Sequence, residues 1–466
     1  MRPINKNARA LLDNELRIRG LCEAVELSKA LEVSLPTLHR IIRERELDIV
    51  RIGTTKNARY GLRRTLRGKS ESIPVYSIDQ NGRGKQLASM DLVTSQGAVL
   101  DVRAMGWPVS SDTYTWWDGL PYPLMDMRPQ GFLGRSLARQ IAQDFNVSDN
   151  PEEWLDDDIT YILTVRGSDN QGNLIIGEAA YKDFLQSVAQ PEYAISEKDL
   201  NSKYAELAKN ATQFGGGGTS AGGEFPKFTA KRELKEASNP YVIVKFSGAD
   251  DSISVRRWSD LLICEHLALE VIRNSGVLIA PLSRIIQYEG RTFLEVERFD
   301  RVGEFGRLAT TSLASLDNAF VGLGNGSWVE ASRRLVKEKV ISPSLINNIS
   351  ILWWYGKLIA NTDMHFGNLT FLIDPEIKLS PAYDMLPMSY APLAGGEVPE
   401  RHFQATLPMP NEQEEWNKAF IMALQFWDTA SSDSRITDNF KSICKSNYIA
   451  LAELNDRLKI ITVNLR

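Results

Sequence analysis

Three oxygen-bearing side chains in the C-terminal part of the sequence have types and spacing suited to phosphoryl transfer. Asp363 and Asn368 lie five positions apart in the stretch Asn-Thr-Asp-Met-His-Phe-Gly-Asn that begins at residue 361, and Asp384 follows sixteen positions later. In such a loop a carboxylate accepts the proton of a hydroxyl, while an amide oxygen and a second carboxylate hold Mg²⁺ against the phosphates. The pattern predicts ATP-dependent phosphotransfer, with Asp363 as the base and Asn368 and Asp384 as Mg²⁺ ligands.

The elements around this loop must hold it in place. An apolar helix at about residues 351–359 precedes the loop, and an apolar run at 369–373 follows it. His365 lies inside the loop and has two interpretations. It either takes a direct part in catalysis or orders the loop through a hydrogen bond, and its residue type fits both.

A glycine-rich segment and a lysine in a strand would supply the phosphate-binding part of the same site. Six of the nine residues 215–223 are glycine, which lets backbone N–H groups approach phosphate oxygens closely. The run 241–246 predicts a strand with Lys245 on one face and apolar side chains on the other. A buried ammonium needs a partner, and Glu265 on an apolar helix or a nucleotide phosphate would serve. Taken alone, the glycines also fit a linker and the lysine an edge strand.

The first 70 residues carry a positive charge that the whole chain does not share. They contain 16 Lys or Arg against 8 Asp or Glu, whereas the net charge of the chain is -5. Helical spacing over 27–46 and apolar runs at 49–53 and 59–62 predict a helix-turn-helix followed by a hairpin wing. The side chains expected to contact DNA are Thr37, His39, Arg40, Arg43, Lys56 and Arg59. A protein-interaction module with a solvated basic surface is the alternative.

Composition indicates a globular protein of several domains. The 466 residues exceed the usual size of one core, and 43% of them are hydrophobic, which excludes a largely disordered or collagen-like chain. Three widely spaced cysteines fit reduced thiols. With no signal region and no long apolar stretch, we expect a cytoplasmic protein that has no membrane partner. We expect four domains, at residues 1–70, 71–190, 191–305 and 306–466.

The motifs together resemble HipA-family serine/threonine kinases, the toxins of type II toxin–antitoxin systems. The resemblance is carried by residues 219–223, 226–227, 244–246, 296–301, 361–365 and 381–384, and it covers roughly residues 73–466. With the leading helix-turn-helix and the segment Pro-Gln-Gly-Phe-Leu-Gly-Arg, the chain is most similar to the YjjJ (HipH) branch. The implied fold class is α+β: a two-lobed protein-kinase-like fold with an α/β N-terminal lobe, a mainly helical C-terminal lobe and an N-terminal winged helix-turn-helix.

The resemblance implies roles that spacing alone does not assign. Glu297 and Phe299 would form the hinge against adenine, and Asp300 would lie near the ribose. Further nucleotide contacts are implied for Gly222, Gly223, Lys227, Lys245 and Tyr383. Ser220 would be autophosphorylated, or Thr219 if the register of the glycine loop differs, and a dianion there cannot share the loop with ATP phosphates.

Partners and alternative functions stay open at this point. The resemblance implies a protein substrate, such as an aminoacyl-tRNA synthetase or another translation factor, and no residue selects the target. Since helix-turn-helix proteins commonly bind palindromes as dimers, a homodimer is open. Relatives usually carry the DNA-binding domain on a separate antitoxin. Because the domain is expected in this chain, two questions stay open: whether a separate antitoxin exists and whether the chain is toxic. We favour a kinase tethered to DNA that regulates its own promoter; the alternatives are a small-molecule hydroxyl kinase and a nucleotide-sensing DNA-binding transcription regulator.

Overall fold

The computed structural model describes residues 6–53, 58–94, 96–109, 115–215, 224–233 and 239–464. The chain divides into two units, of which unit 1 comprises residues 1–78, 84–128 and 154–189 and unit 2 comprises residues 79–83, 129–153 and 190–466. Each unit combines helices with antiparallel sheets. Within the described ranges, no helix is long and apolar enough to cross a membrane.

Unit 1 begins with helices packed on a small sheet. The elements are α1 (Lys6–Arg19), β1 (Cys22–Glu23), α2 (Ala24–Ala30), α3 (Leu35–Arg43), β2 (Ile49–Ile52) and β3 (Arg59–Leu62), with strand order β1-β3-β2. The Ser34 hydroxyl caps α3 by accepting the N–H of Thr37 at 3.4 Å, and Pro36 lies in the first turn, where a missing N–H costs nothing. The helix pair expected from the sequence therefore occupies residues 24–43, and the two strands expected after it occupy residues 49–52 and 59–62.

A second sheet completes unit 1. Its strands are β4 (Ile73–Ile78), β5 (Gly84–Val93), β6 (Gly97–Val99), β7 (Trp116–Trp117) and β8 (Leu174–Ile176), in the order β7-β6-β5-β4-β8. The helices are α4 (Tyr122–Met125), α6 (Asp156–Arg166) and α7 (Glu178–Ala189), while α5 (Gly131–Phe145) lies between α4 and α6 in sequence and belongs to unit 2. Arg63, Arg64 and Arg67 form ion pairs with Asp91, Asp157 and Asp158. Part of the positive charge of the first 70 residues is thus neutralised within unit 1.

A four-stranded sheet forms the first part of unit 2. Its elements are α8 (Leu200–Gly215), β9 (Lys227–Lys231), β10 (Tyr241–Phe246), α9 (Ile253–Asn274), β11 (Ser283–Tyr288) and β12 (Arg291–Glu297), with strand order β11-β12-β10-β9. Val242, Val244 and Phe246 are fully buried in one cluster with Tyr204 of α8. Lys245 lies on the opposite face of β10, as alternation predicts. Since β10 has a neighbour on each side, Lys245 is not on an edge strand.

The rest of unit 2 is mainly helical, as the apolar spacing predicts. The elements are β13 (Arg301–Val302), β14 (Gly306–Arg307), β15 (Ala309–Ser312), α10 (Leu313–Phe320), α11 (Trp328–Lys337), α12 (Ile346–Leu358), β16 (Thr370–Asp374), β17 (Glu376–Leu379), α13 (Gln413–Ser432) and α14 (Asp438–Asn464). Strand β13 pairs with β14, and β15, β16 and β17 form a sheet in that order. Helix α13 packs against both α12 and α14, with Trp416, Phe426 and Trp427 fully buried.

Candidate active site

The end of helix α12 holds the segment that carries Asp363. Ala360 adopts a φ of +58°. Its N–H donates to the carbonyl of Lys357 at 3.3 Å, and the N–H of Asn361 donates to the carbonyl of Gly356 at 2.9 Å, which is the Schellman pattern. A Cβ added to Gly356 would lie 2.5 Å from the Met364 sulfur, so the missing side chain lets the segment pack back against the helix. The helix end therefore sets the direction in which residues 361–368 leave.

Short hydrogen bonds then order the segment itself. The Nδ1 atom of His365 accepts the N–H of Gly367 at 3.0 Å, and the Nδ2 atom of Asn368 donates to the carbonyl oxygen of Asp363 at 2.7 Å. His365 Nε2 lies 3.9 Å from Asp363 Oδ1, and their side chains are 61% and 52% exposed. The carboxylate of Asp363 makes no hydrogen bond within the described ranges, which leaves it available as a base. His365 therefore orders the loop through its hydrogen bond with the N–H of Gly367.

One ammonium group joins three separate parts of unit 2. Lys245 Nζ on β10 lies 2.7 Å from both carboxylate oxygens of Glu265 on α9, and it also contacts Asp384 Oδ1 in the loop after β17. The side chains of Lys245 and Glu265 are 8% and 1% exposed. Because a buried charge is costly without a partner, these contacts hold the strand, the helix and the loop together.

The pKa shifts of Lys245 and Asp384 favour the charged form of both groups at neutral pH. Burial opposes the charge of Lys245, but Asp384 and Glu265 raise its pKa above the ordinary 10.5. Burial also opposes the charge of Asp384, but Lys245 and Lys227 hold its pKa below the ordinary 3.8. Burial, with the nearby Asp384, raises the pKa of Glu265 despite Lys245. The stability from Lys245 is lost only as pH rises through its raised pKa, and that from Asp384 only as pH falls through its lowered one.

Lys227 lies on the same sheet face as Lys245, because the two residues are directly paired between β9 and β10. Its ammonium is 2.8 Å from Glu224, which also accepts a hydrogen bond from Arg135 of α5 at 3.1 Å. Burial opposes the charge of Glu224, but Lys227, the N–H of Phe132 and Arg135 keep its pKa below the ordinary 4.5. Glu224, which follows the glycine-rich segment, is thus anchored to the first turns of α5 and to β9.

Two of the residues expected near adenine and ribose have protein partners. The Glu297 carboxylate lies 3.5 Å from Arg232, on the α8 side of the sheet rather than the Lys245 side. The buried Asp300 carboxylate accepts hydrogen bonds from Arg298 at 2.9 and 3.0 Å and from Arg301 at 2.7 Å. A ribose hydroxyl would have to compete with these guanidinium groups, and the side chain of Glu297 does not lie on the Lys245 face of the sheet.

Phe299 and Tyr383 lie together, which the sequence does not predict. Their rings stack with centroids 5.6 Å apart and an angle of 28° between planes. The Tyr383 hydroxyl donates to the carbonyl of Gly367 at 2.8 Å and lies 2.7 Å from the Thr370 hydroxyl. Tyr383 therefore connects the chain after β12 with the segment that carries Asp363, and both rings could stack on a planar base.

The remaining predicted residues divide into two groups. Gly222, Gly223, Ser220, Thr219 and Lys56 lie outside the described residues. In the N-terminal part, His39, Arg43 and Arg59 are exposed, Thr37 and Arg40 are half-buried, and Thr37 Oγ1 lies 2.9 Å from the Ser34 hydroxyl. None of the three exposed residues forms an ion pair with a described residue.

Comparison with known proteins gives the family. A family model described as the YjjJ-like toxin, middle domain, matches residues 69–185, and one described as the HipA-like C-terminal domain matches residues 219–450. Toxin YjjJ of Escherichia coli strain K12 is 34% identical over 445 residues, which cover 95% of this chain and 98% of that protein. The chain belongs to the YjjJ-like toxin family. The family resemblance seen in the sequence is confirmed.

Two solved structures are similar to this YjjJ-like chain at a low level. One is the Shewanella oneidensis HipA of a complex with HipB and operator DNA, with 14% identity, a TM-score of 0.44, and coverage of 81% of this chain and 95% of that one. The other is the Helicobacter pylori proinflammatory kinase CtkA, with 14% identity, a TM-score of 0.33, and coverage of 52% and 90%.

Three contacts in the YjjJ-like site were missed by the sequence reasoning. They involve Asn361, Trp328 and Glu224, none of which had an assigned role. Asn361 stands two positions before Asp363 and Glu224 directly follows the glycine-rich segment, so adjacency to a motif was the available signal. Trp328 lies on α11 and has no such signal. The hydrogen bond from its indole N–H to the carbonyl of His365 depends on the tertiary fold.

Proposed function

We propose that the chain is an ATP- and Mg²⁺-dependent protein kinase that phosphorylates serine or threonine hydroxyls. The observation that carries this proposal is the contact of Lys245 with both Glu265 and Asp384, in the same unit as Asp363, whose carboxylate makes no hydrogen bond with a described residue. Burying an ammonium with a carboxylate gives little net stability, so a purely structural role accounts poorly for the cluster. A phosphate-binding lysine fixed by a helix glutamate is the arrangement that kinases use.

In the proposed reaction, the hydroxyl oxygen of the substrate attacks the γ-phosphorus of ATP. A new oxygen–phosphorus bond forms while the bond between the γ-phosphorus and the β–γ bridging oxygen breaks, and ADP leaves. The Asp363 carboxylate accepts the hydroxyl proton. Lys245 would bind phosphate oxygens of the nucleotide. The side chain of Asp363 is 52% exposed, which allows the hydroxyl of a large substrate such as a protein to reach it.

Asn368 and Asp384 suit Mg²⁺ because both offer oxygen ligands. Asn368 donates a hydrogen bond through Nδ2, which leaves its amide oxygen for a metal, and Asp384 already contacts a cationic group, the Lys245 ammonium. Among the described residues, no group of three or more His, Cys, Asp or Glu side chains could hold a metal ion. Mg²⁺ commonly takes one or two protein ligands beside phosphate oxygens and, when bound, would neutralise charge on the transferring phosphoryl group.

The proposed function includes autophosphorylation of Ser220, or of Thr219. Support comes from the family resemblance and from the anchored Glu224, which directly follows the glycine-rich segment at residues 215–223. The test is incubation of the purified chain with ATP and Mg²⁺, followed by phosphopeptide mass spectrometry. We expect phosphate on Ser220 or Thr219 and on a second protein when cell extract is added. Transfer only to small hydroxylated compounds would support a small-molecule kinase instead. Absence of ATP turnover would support a nucleotide-sensing regulator.

Trp328 is expected to support the rate of this reaction. Its indole N–H donates to the carbonyl of His365 at 3.0 Å, inside the catalytic segment. Trp328→Phe keeps an aromatic ring but loses this hydrogen bond, which is worth roughly 1 kcal/mol, so kcat should fall about fivefold. The KM for ATP should not change, because Trp328 is bonded to the segment of the base and not to Lys245. Steady-state kinetics measure both constants.

Trp354→Phe is the matched control for that variant. The Trp354 indole N–H is buried and has no hydrogen-bond partner within the described part of the chain. Removing it should leave kcat unchanged, since no bond to the catalytic segment is lost. Equal losses of kcat in the two variants would contradict the role given to Trp328.

We also propose that helices α2 and α3 with the β2–β3 hairpin bind DNA. The support is the distribution of charge: Arg63, Arg64 and Arg67 are engaged with aspartates, while Arg43 on α3 and Arg59 on β3 are exposed. An exposed arginine on the short second helix suits phosphates and base edges in a major groove. Combined with the kinase, this would give a toxin tethered to DNA that regulates its own promoter.

Salt dependence tests the DNA proposal. The logarithm of DNA affinity should fall linearly with the logarithm of salt concentration, because bound phosphates release counterions. Arg43→Ala should reduce that slope by about one unit. Lys182→Ala, which removes an exposed lysine on α7, should leave the slope unchanged. A flat salt dependence of the unmodified chain would exclude DNA binding through phosphates.

A further inference from the structure

Asn361 connects the two loops that carry the functional carboxylates. Its Oδ1 atom accepts the backbone N–H of Asp363 at 3.0 Å, and its Nδ2 atom donates to the backbone carbonyl of Asp384 at 3.1 Å. The residue is only 3% exposed, so water does not readily replace either bond. The single amide therefore contacts the base segment on one side and the metal-ligand loop on the other.

The position of this amide is itself fixed by the helix end. The N–H of Asn361 is bonded to the carbonyl of Gly356 in the Schellman motif of α12, and the preceding Ala360 accepts a hydrogen bond from the N–H of Ser389 at 3.0 Å. Asp384, which receives the other end of the bridge, has a φ of +53°, in the left-handed region that non-glycine residues seldom adopt. A hydrogen bond to its carbonyl helps to hold that conformation.

We propose that Asn361 is a positioning residue that sets the spacing between the Asp363 base and the Asp384 metal ligand. The inference rests on the proposed function, because it assigns those two roles to the carboxylates. The two hydrogen bonds act on different loops. Loss of the bond to Asp384 should weaken Mg²⁺ binding, and loss of the bond to Asp363 should slow phosphoryl transfer.

Substitutions at residue 361 separate these two effects. Asn361→Asp keeps the volume and the acceptor toward Asp363, but it turns an oxygen instead of an N–H toward the Asp384 carbonyl. We expect the Mg²⁺ concentration for half-maximal nucleotide binding to rise about tenfold, since a buried acceptor faces another acceptor. At saturating Mg²⁺, kcat should fall less than about threefold. Asn361→Ala removes both bonds and should change both quantities about tenfold.

Asn447→Asp is the matched control. Asn447 is also 3% exposed, and its amide is bonded to the Tyr390 hydroxyl rather than to a functional loop. Its substitution should lower thermal stability without changing the Mg²⁺ requirement. An unchanged Mg²⁺ requirement in folded Asn361→Asp, or the same shift in Asn447→Asp, would overturn the positioning role. If Asn361→Asp does not fold, the same Mg²⁺ titration is done with Asn361→Ala, and an unchanged Mg²⁺ requirement there would overturn the positioning role.

Mg²⁺ titration of nucleotide binding keeps this inference distinct from the proposed function. The titration is done by calorimetry with a non-hydrolysable ATP analogue and needs no phosphoryl transfer. The unmodified chain could bind nucleotide in a Mg²⁺-dependent way and still transfer phosphate to no protein. That result would refute the proposed kinase activity but not the role of Asn361 in positioning the metal ligand. If the unmodified chain transfers phosphate and Asn361→Asp has an unchanged Mg²⁺ requirement for nucleotide binding, only the role of Asn361 is refuted.

Discussion

Replacing Asp363 with asparagine is expected to lower phosphate incorporation about a thousandfold, the usual contribution of a general base. The asparagine cannot accept the hydroxyl proton, whereas the hydrogen bonds between residue 363 and described residues involve its backbone and survive the change. The free energy of unfolding should change by less than about 0.5 kcal/mol, because the side chain is 52% exposed. Radiolabel transfer from γ-labelled ATP measures the rate, and urea unfolding measures the stability.

The same substitution at Asp183 is the control for charge alone. Asp183 is exposed on α7 in unit 1, so Asp183→Asn should leave phosphate incorporation unchanged. Asp363→Asn should also bind nucleotide with the affinity of the unmodified chain, because Lys245 and Glu265 are untouched. If Asp363→Asn still labels itself with phosphate at a similar rate, the assignment of the base is wrong.

Lys245→Met is expected to remove nucleotide binding and to destabilise the protein. It leaves the Glu265 carboxylate, whose side chain is 1% exposed, without its ammonium partner. Breaking a buried ion pair from one side costs about 3–5 kcal/mol in the free energy of unfolding. Glu265→Leu should cost less, because Lys245 keeps its contact with Asp384. Urea unfolding measures the stability, and a fluorescent ATP analogue measures the binding.

The double variant Lys245→Met with Glu265→Leu distinguishes the two effects of the lysine. Replacing both members of a buried ion pair by apolar side chains of similar size is often neutral, so most of the lost stability should return. Nucleotide binding should not return, because no cation is left to contact the phosphates. A double variant that regains both stability and binding would show that Lys245 is structural, and the proposed site would then be wrong.

The local sequence pattern was sufficient to predict much of the secondary structure near the site. The strand at 241–246 has the bounds that its alternation predicts, and helix α12 covers most of the apolar run that precedes Asp363. Both follow from periodicity, which is a property of neighbouring residues. Asp363 and Asn368 could be singled out from the sequence because they lie only five positions apart in one loop. These predictions needed no knowledge of distant contacts.

Contacts between distant segments could not be predicted in this way. Asn361 and Asp384 are 23 positions apart, Trp328 and His365 are 37 apart, and Arg135 and Glu224 are 89 apart. Each pair is brought together by packing of whole elements, and many residue types could satisfy the same local pattern. Two residues that the resemblance places near the nucleotide show the same limit. Glu297, expected at adenine, and Asp300, expected near the ribose, have side-chain partners that sequence spacing does not reveal.

The sequence alone indicates which chemistry is expected: a carboxylate suited to act as a base, two oxygen groups suited to Mg²⁺, a lysine in a strand and a basic N-terminal part. The folded chain shows which of these charges are paired with other side chains. Lys245 is held between Glu265 and Asp384, while the Asp363 carboxylate has no hydrogen-bond partner among the described residues. Three N-terminal arginines are neutralised by aspartates, while Arg43 is exposed. The reason is that charge is a property of the residue, whereas pairing depends on distances that only the folded chain sets.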